Sequence, residues 1–233
     1  MKTSLFTTFS FLTAISFAQV KELQTNSDKA QGMIGKPVDT FNPYVYVMPT
    51  IGTGGHGHTF QGVTTPFGMM QLSPDTRFDG WDGCGGYHYS DSIIYGFSHT
   101  HLSGTGHSDL GDFLIMPTQG KLQLNPGTAT NPKSGYRSAF SHANEKAEAG
   151  YYKVKLDDDS ILAEMTATTR VGMHQYTFPK SAESHILFDF TTVLGSSETQ
   201  SAEVNKINDH ELVGSVVMAG TIRRPKPLTV YFV

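Results

Sequence analysis

Residues 51–117 read IGTGGHGHTFQGVTTPFGMMQLSPDTRFDGWDGCGGYHYSDSIIYGFSHTHLSGTGHSDLGDFLIMP, and they hold six of the ten histidines, the single Trp and the single Cys of the chain. Glycine run together with large rings is poor core material, because glycine buries no side chain and costs backbone entropy. It suits loops whose backbone must approach a ligand closely, with aromatic rings to stack on that ligand. On either side of this stretch the chain reads as short strands. Tyr44–Val47 is β-branched and aromatic, and Phe113–Met116 is an apolar run ended by Pro117. Further candidate strands span 151–156, 161–168, 172–178, 185–190, 211–218 and 228–233. Several alternate apolar with polar, as in Tyr152-Lys153-Val154-Lys155-Leu156, the pattern of a sheet wet on one face. Gly, Pro and Asp clusters separate them at the spacings of sandwiches and barrels. The fold class expected is all-β, an antiparallel β-sandwich.

The chain of 233 residues is long enough for one such domain with a sizeable core. Its formal charge of −4 comes with scattered Lys and Arg and no basic stripe, which excludes nucleic acid as a partner. Residues 1–18 read as a secretory signal peptide. Lys2 supplies the positive start, Leu5 to Phe17 a hydroxyl-diluted apolar region, and Ser16-Phe17-Ala18 the small residues of a cleavage site. The apolar stretch is too short for a membrane span of roughly 20 residues, so a periplasmic or secreted protein without a membrane span is expected. Residues 19–36 form a polar, flexible lead-in, and 37–233 the sandwich domain. Cys84 has no second cysteine to pair with. The terminal strand 228–233 stops at its most apolar point, where an open Phe-Val edge would invite aggregation; a domain cut off at its C-terminal end is the expectation.

The stretches IGTGGHGHTF (51–60), TPFGMMQLSPDTR (65–77), GWDGCGGYHYSDS (80–92) and IYGFSHTHLSGTGHSDLGD (94–112) resemble the N-terminal part of glycoside hydrolase family 92, the calcium-dependent exo-acting alpha-mannosidases. GYRSAFSH (135–142), AGYYKVKL (149–156) and TATTRVGMHQYTFPK (166–180) match more loosely. The resemblance implies a galactose-mutarotase-like supersandwich followed by a much larger helical-barrel catalytic domain, which this chain lacks. It also implies an inverting mechanism on mannose-containing glycans, with the two catalytic carboxylates and the calcium ligands in that helical domain. Calcium then belongs to the full-length parent. No cofactor, metal ligand or catalytic residue is expected in this chain, and the missing helical domain is its expected partner.

Glycoside hydrolysis generally needs two carboxyls. Asp79, Asp82, Asp91, Asp109 and Asp112 are candidates by type, but each reads more simply as a turn former or a cap. The contribution expected of this chain is a wall of the sugar pocket. Trp81 can stack on the C–H face of a sugar while its N–H donates; the competing reading is a core anchor, and its neighbours Gly80, Asp82 and Gly83 favour a loop. Cys84 is either small apolar filler or pocket lining. His56 with His58, and His99 with His101, are two apart, so on a strand each pair would point one way. Hydrogen bonding to sugar hydroxyls is preferred for them, with zinc binding the weaker alternative. Gly54 and Gly55, with Gly52, read as a turn needing positive φ. A phosphate loop is disfavoured, because neither a Lys nor a helix pattern follows the glycines. Beside the mannosidase reading stand a free-standing carbohydrate-binding module and a zinc enzyme.

Overall fold

The computed structural model describes residues 42–128, 131 and 134–233; the proposed leader and lead-in lie outside the described residues. Its compact unit runs from Tyr46 to Val233. The strands are β1 (Val63–Thr64), β2 (Gln71–Asp75), β3 (Ile93–Ile94), β4 (Gly96–Ser98), β5 (Leu114–Gln119), β6 (Ser138–Ala139) and β7 (Glu145–Glu148). They continue with β8 (Tyr151–Leu156), β9 (Ile161–Ala167), β10 (Gly172–Thr177), β11 (Ser184–Asp189), β12 (Thr199–Asn208), β13 (Glu211–Met218) and β14 (Leu228–Phe232). A central sheet has the order β1-β2-β4-β5-β11. A four-stranded sheet has the order β10-β9-β8-β7, a three-stranded one β12-β13-β14, and β3 pairs with β6. No helix among the described residues is long and apolar enough to cross a membrane.

Alternation builds the first interface. Tyr152, Val154 and Leu156 of β8 and Ile161, Ala163 and Met165 of β9 are buried, in register with Val154 opposite Ala163. They close on Leu72, Phe97 and Met116 of the central sheet, each such side chain contributing roughly 1.5–3 kcal/mol by leaving water. A second cluster lies on the other face of the same sheet. Ile115 and Phe188, one residue along from Met116 and Leu187, pack with Phe113 and Phe190 against Val216, Met218, Val230 and Phe232. Strands β5 and β11 are thus apolar on both faces, which explains the unbroken run Phe113–Met116. The chain is an antiparallel β-sandwich whose middle sheet is covered twice.

Two local expectations are corrected, and one strand is added. Pro117 does not end its strand: it pairs with Ile186 inside β5. Proline is tolerated there because short β4 reaches β5 only at Ile115, leaving Pro117 a single partner strand. Pro43–Tyr46 is one turn of 3-10 helix, for which proline's fixed φ is suited. Strand β12 was not expected, because Val204 and Ile207 are its only large apolar residues and they do not alternate. Nine of its ten residues are exposed, and its ladder with β13 holds it.

Candidate functional site

The loop before β1 and the turn before β3 meet over one carboxylate. His56 Nδ1 lies 2.6 Å from Asp82 Oδ1, and His58 Nε2 lies 3.6 Å from the same oxygen. The second distance is too long for a hydrogen bond, so the Nε2 of buried His58 stays without a partner. The hydrogen bond from His56 holds the Asp82 carboxyl below its ordinary range, with the nearby charge of the two rings adding to it. The same imidazoles brace Trp81: ring centroids are 5.0 Å from His56 and 4.4 Å from His58, the latter edge-on. Trp81 remains 59% exposed, so it is a loop residue and not a core anchor.

A strap of residues 102–109 lies over this corner. Its Gly104 N–H donates to the His58 carbonyl at 2.8 Å. At Gly106, φ is +63°, and a Cβ there would stand 2.9 Å from Trp81 Nε1 and 3.4 Å from His58 Nδ1. Only glycine lets the strap close against the indole. Cys84 is buried below. Burial pushes its thiol pKa up, partly offset by the backbone of Gly106 and His107, and at 1% exposed it offers no open surface to the cleft. Gly55 has φ +57° and its carbonyl accepts from His88 Nε2 at 3.2 Å. Gly54, at negative φ, borders an open cleft of about 340 Å³ with Thr50, Thr53 and Tyr89. Gly54, Gly55, His56, His58, Trp81 and Asp82 therefore gather in one region, with Cys84 beneath it.

His99 and His101 do not join them, nor each other. Strand β4 ends at Ser98, so the two-residue rule that aligns side chains along a strand no longer applies. His101 is wholly interior. Its Nδ1 lies 2.6 Å from the Gln71 carbonyl and its Nε2 lies 3.0 Å from Asp75 Oδ1. A carbonyl and a carboxylate both demand a donor, so the ring carries two protons. Burial opposes that charge, but Asp75 and the Gln71 carbonyl outweigh it and raise the His101 pKa. Ser98 Oγ completes the knot by donating to Asp75 Oδ2 at 2.6 Å. His101 can touch no sugar from there. His99 is turned to Asp112 Oδ1 at 3.3 Å and to His174 Nε2 at 3.1 Å, and His174 Nδ1 meets the Tyr176 hydroxyl at 2.8 Å.

Asp91, Glu145 and Asp109 are also committed to protein partners. Asp91 binds Arg77 and Thr76. Glu145 accepts from Tyr87 and Tyr152. Asp109, at the end of the strap, takes both arms of Arg224: Nη2 to Oδ1 at 2.8 Å and Nε to Oδ2 at 3.1 Å. Burial would raise the Asp109 pKa, but the hydrogen bond and charge of Arg224 lower it overall. Even the Asp157–Asp159 turn is engaged, Asp158 and Asp159 accepting from the backbone N–H groups of Ala139 and Gln119. No group of three or more His, Cys, Asp or Glu among the described residues is arranged to hold a metal ion.

A family model described as the glycosyl hydrolase family 92 N-terminal domain matches residues 46–233. An alpha-mannosidase of that family from Bacteroides thetaiotaomicron, solved in complex with mannoimidazole, shares the fold at a TM-score of 0.76 and 40% identity. The match covers 81% of this chain and 24% of that one. An inverting mannosidase of the family from Bacteroides thetaiotaomicron VPI-5482 matches at a TM-score of 0.56 and 26% identity, over 78% of this chain and 25% of its own. An uncharacterized secreted glycosidase of Arthroderma benhamiae is 31% identical over 172 residues, 69% of this chain and 21% of its own length. The chain therefore spans between 21% and 25% of the length of these relatives.

Proposed function

The chain belongs to glycosyl hydrolase family 92, and from that premise we propose that it supplies one wall of the mannose pocket of a secreted, inverting exo-alpha-mannosidase and is inactive alone. The observation that carries this reading is the indole of Trp81, held out into solvent between His56, His58 and Asp82. An aromatic face left exposed yet braced on its other side is suited to the C–H face of a hexose. The exposed imidazole of His56 and the free Oδ2 of half-exposed Asp82 offer polar contacts to hydroxyls beside it, while buried His58 braces the indole from within.

Chemistry needs an acid and a base on opposite sides of the glycosidic bond. Asp82, Asp91 and Asp109 are tied to His56, Arg77 and Arg224, and we assign both catalytic groups to a helical domain outside residues 46–233. Calcium takes six to eight oxygen ligands. No three of the described carboxylates, histidines and cysteines are grouped to form such a cage, so its ligands too are assigned to that domain. In this division of labour, calcium would hold the sugar ring and the residues here would orient it and exclude water from one side.

The test is direct. The purified chain, with or without calcium, should not hydrolyse an alpha-mannoside above background, and supplying a family 92 helical domain in trans should restore turnover. Turnover by the chain alone that vanishes on changing one of its aspartates would overthrow the assignment. Tight mannose binding by the chain alone would replace it with a free-standing carbohydrate-binding module.

A further inference from the structure

The strap over Trp81 is fastened at its C-terminal end. At its base His101 and Leu110 form an isolated bridge. On its flank Asp109 receives the two-pronged grip of Arg224, and Thr221 Oγ1 adds a bond to Oδ2 at 3.2 Å. Arg224 is itself fixed: Nη1 donates to the Lys226 carbonyl at 2.6 Å, Nη2 to the Ala219 carbonyl at 3.0 Å, and its N–H to Thr221 Oγ1 at 3.0 Å. Every one of these partners lies in the connection between β13 and β14, in the outer three-stranded sheet. Asp109 is 5% exposed, so this is a largely desolvated, bidentate pair of the kind that holds geometry, unlike a surface ion pair. The other end of the strap bears on the site through Gly104 and Gly106, which touch His58 and Trp81.

We infer that Arg224 is a positioning residue for Trp81, acting through Asp109 and the strap of residues 102–109. The guanidinium sets where the strap ends, and the glycine tip sets how far the indole can tilt. The outer sheet thereby controls the pocket wall without touching it. The importance of that control for a sugar rests on reading Trp81 as sugar-facing; the mechanical link itself does not.

Trp81 is the only tryptophan, so its emission reports the site alone. In the purified chain, Arg224→Ala should lower the fluorescence anisotropy of Trp81. It should also speed amide exchange at Gly104 by roughly tenfold or more, the mark of a locally released segment, with the far-UV spectrum unchanged. Arg224→Lys keeps the charge but loses the fork and should fall between. Lys206→Ala, which breaks an exposed ion pair with Asp209 at the β12–β13 tip, should change neither readout. A folded Arg224→Ala protein with wild-type anisotropy and wild-type Gly104 exchange overturns the inference. Should that variant not fold, Asp109→Asn, nearly identical in shape, is read the same way, and a folded protein with both signals unchanged overturns it equally. If the link is found while Trp81→Ala leaves the complemented mannosidase unaffected, the sugar-wall reading fails and the positioning inference stands.

Discussion

Nε2 of His99 faces Nε2 of His174 at 3.1 Å, so one ring must donate the proton that the other accepts. The Asp112 carboxylate takes the Nδ1 proton of His99, and the Tyr176 hydroxyl can donate to Nδ1 of His174. The consistent assignment is His174 Nε2–H donating to His99. A second proton on His174 would go to Nδ1, where the Tyr176 hydroxyl could then no longer donate. Burial, and the charge His99 would carry, push the His174 pKa down to about 3. An unfolded His174 binds a proton below its ordinary value of 6.5 while the folded one refuses it, so folding stability should fall as pH drops between those values. The expected slope is about 1.4 kcal/mol per pH unit. Urea midpoints measured from pH 6.5 to 4.5, above the range where Asp109, Asp112 and Asp189 with their lowered pKa values titrate, should fall in the wild type and flatten in His174→Gln.

His101 carries the opposite sign. Its folded pKa is raised, so its contribution is complete below the unfolded value and is lost as pH climbs through the folded one. Alkaline titration of the urea midpoint should therefore show a decline from His101 that His101→Gln removes, at the cost of a lower midpoint throughout.

Gly86→Ala should be among the most damaging single changes in the chain. Gly86 has φ +83°, and a Cβ would sit 2.3 Å from Asp75 Oδ1 and 3.0 Å from the His101 ring. Backbone strain and a broken buried ion pair together predict a loss of about 4 kcal/mol or more. Gly150→Ala is the control: its φ is +75° but nothing lies within 4 Å, so only the backbone cost of about 1–2 kcal/mol remains. Equal melting temperatures for the two variants would contradict the packing argument.

Trp81→Ala should separate stability from function. An exposed indole leaves little burial to lose, so unfolding should change by less than about 1 kcal/mol. Complemented mannosidase activity should nonetheless fall by roughly tenfold or more, the equivalent of about 1.4 kcal/mol of lost stacking. Activity indifferent to Trp81 would mean that the pocket wall lies elsewhere.

Elemental analysis of the dialysed chain should find neither zinc nor calcium at one equivalent. A zinc equivalent that disappears in His56→Ala would restore the metalloenzyme reading, with Asp82 as the second ligand.

Strands whose side chains alternate were legible residue by residue. Tyr151–Leu156 and Glu211–Met218 have the same bounds in sequence and structure, because one buried face leaves a period of two in the chain. Gln71–Asp75 was not legible. Its buried side chains include Ser73 and Asp75, which the interior accepts only because Ser98 and His101 answer Asp75. The grouping of His56, His58, Trp81 and Asp82 was legible through the glycines around them. The role of His99 and His101 was not, since a rule valid along a strand was carried past the end of one. Nothing local in sequence announces the pairing of Asp109 with Arg224, 115 residues apart.

Cys84 makes the strap a clock. The thiol is 1% exposed beneath the backbone of Gly106 and His107, and burial holds it protonated. The thiolate is the reacting species, so an aromatic disulfide reagent can modify the native chain only in the intervals when the cover lifts. With no other cysteine to react, the rate of colour release follows how much of the time the cover stands open while the sheets beneath remain folded.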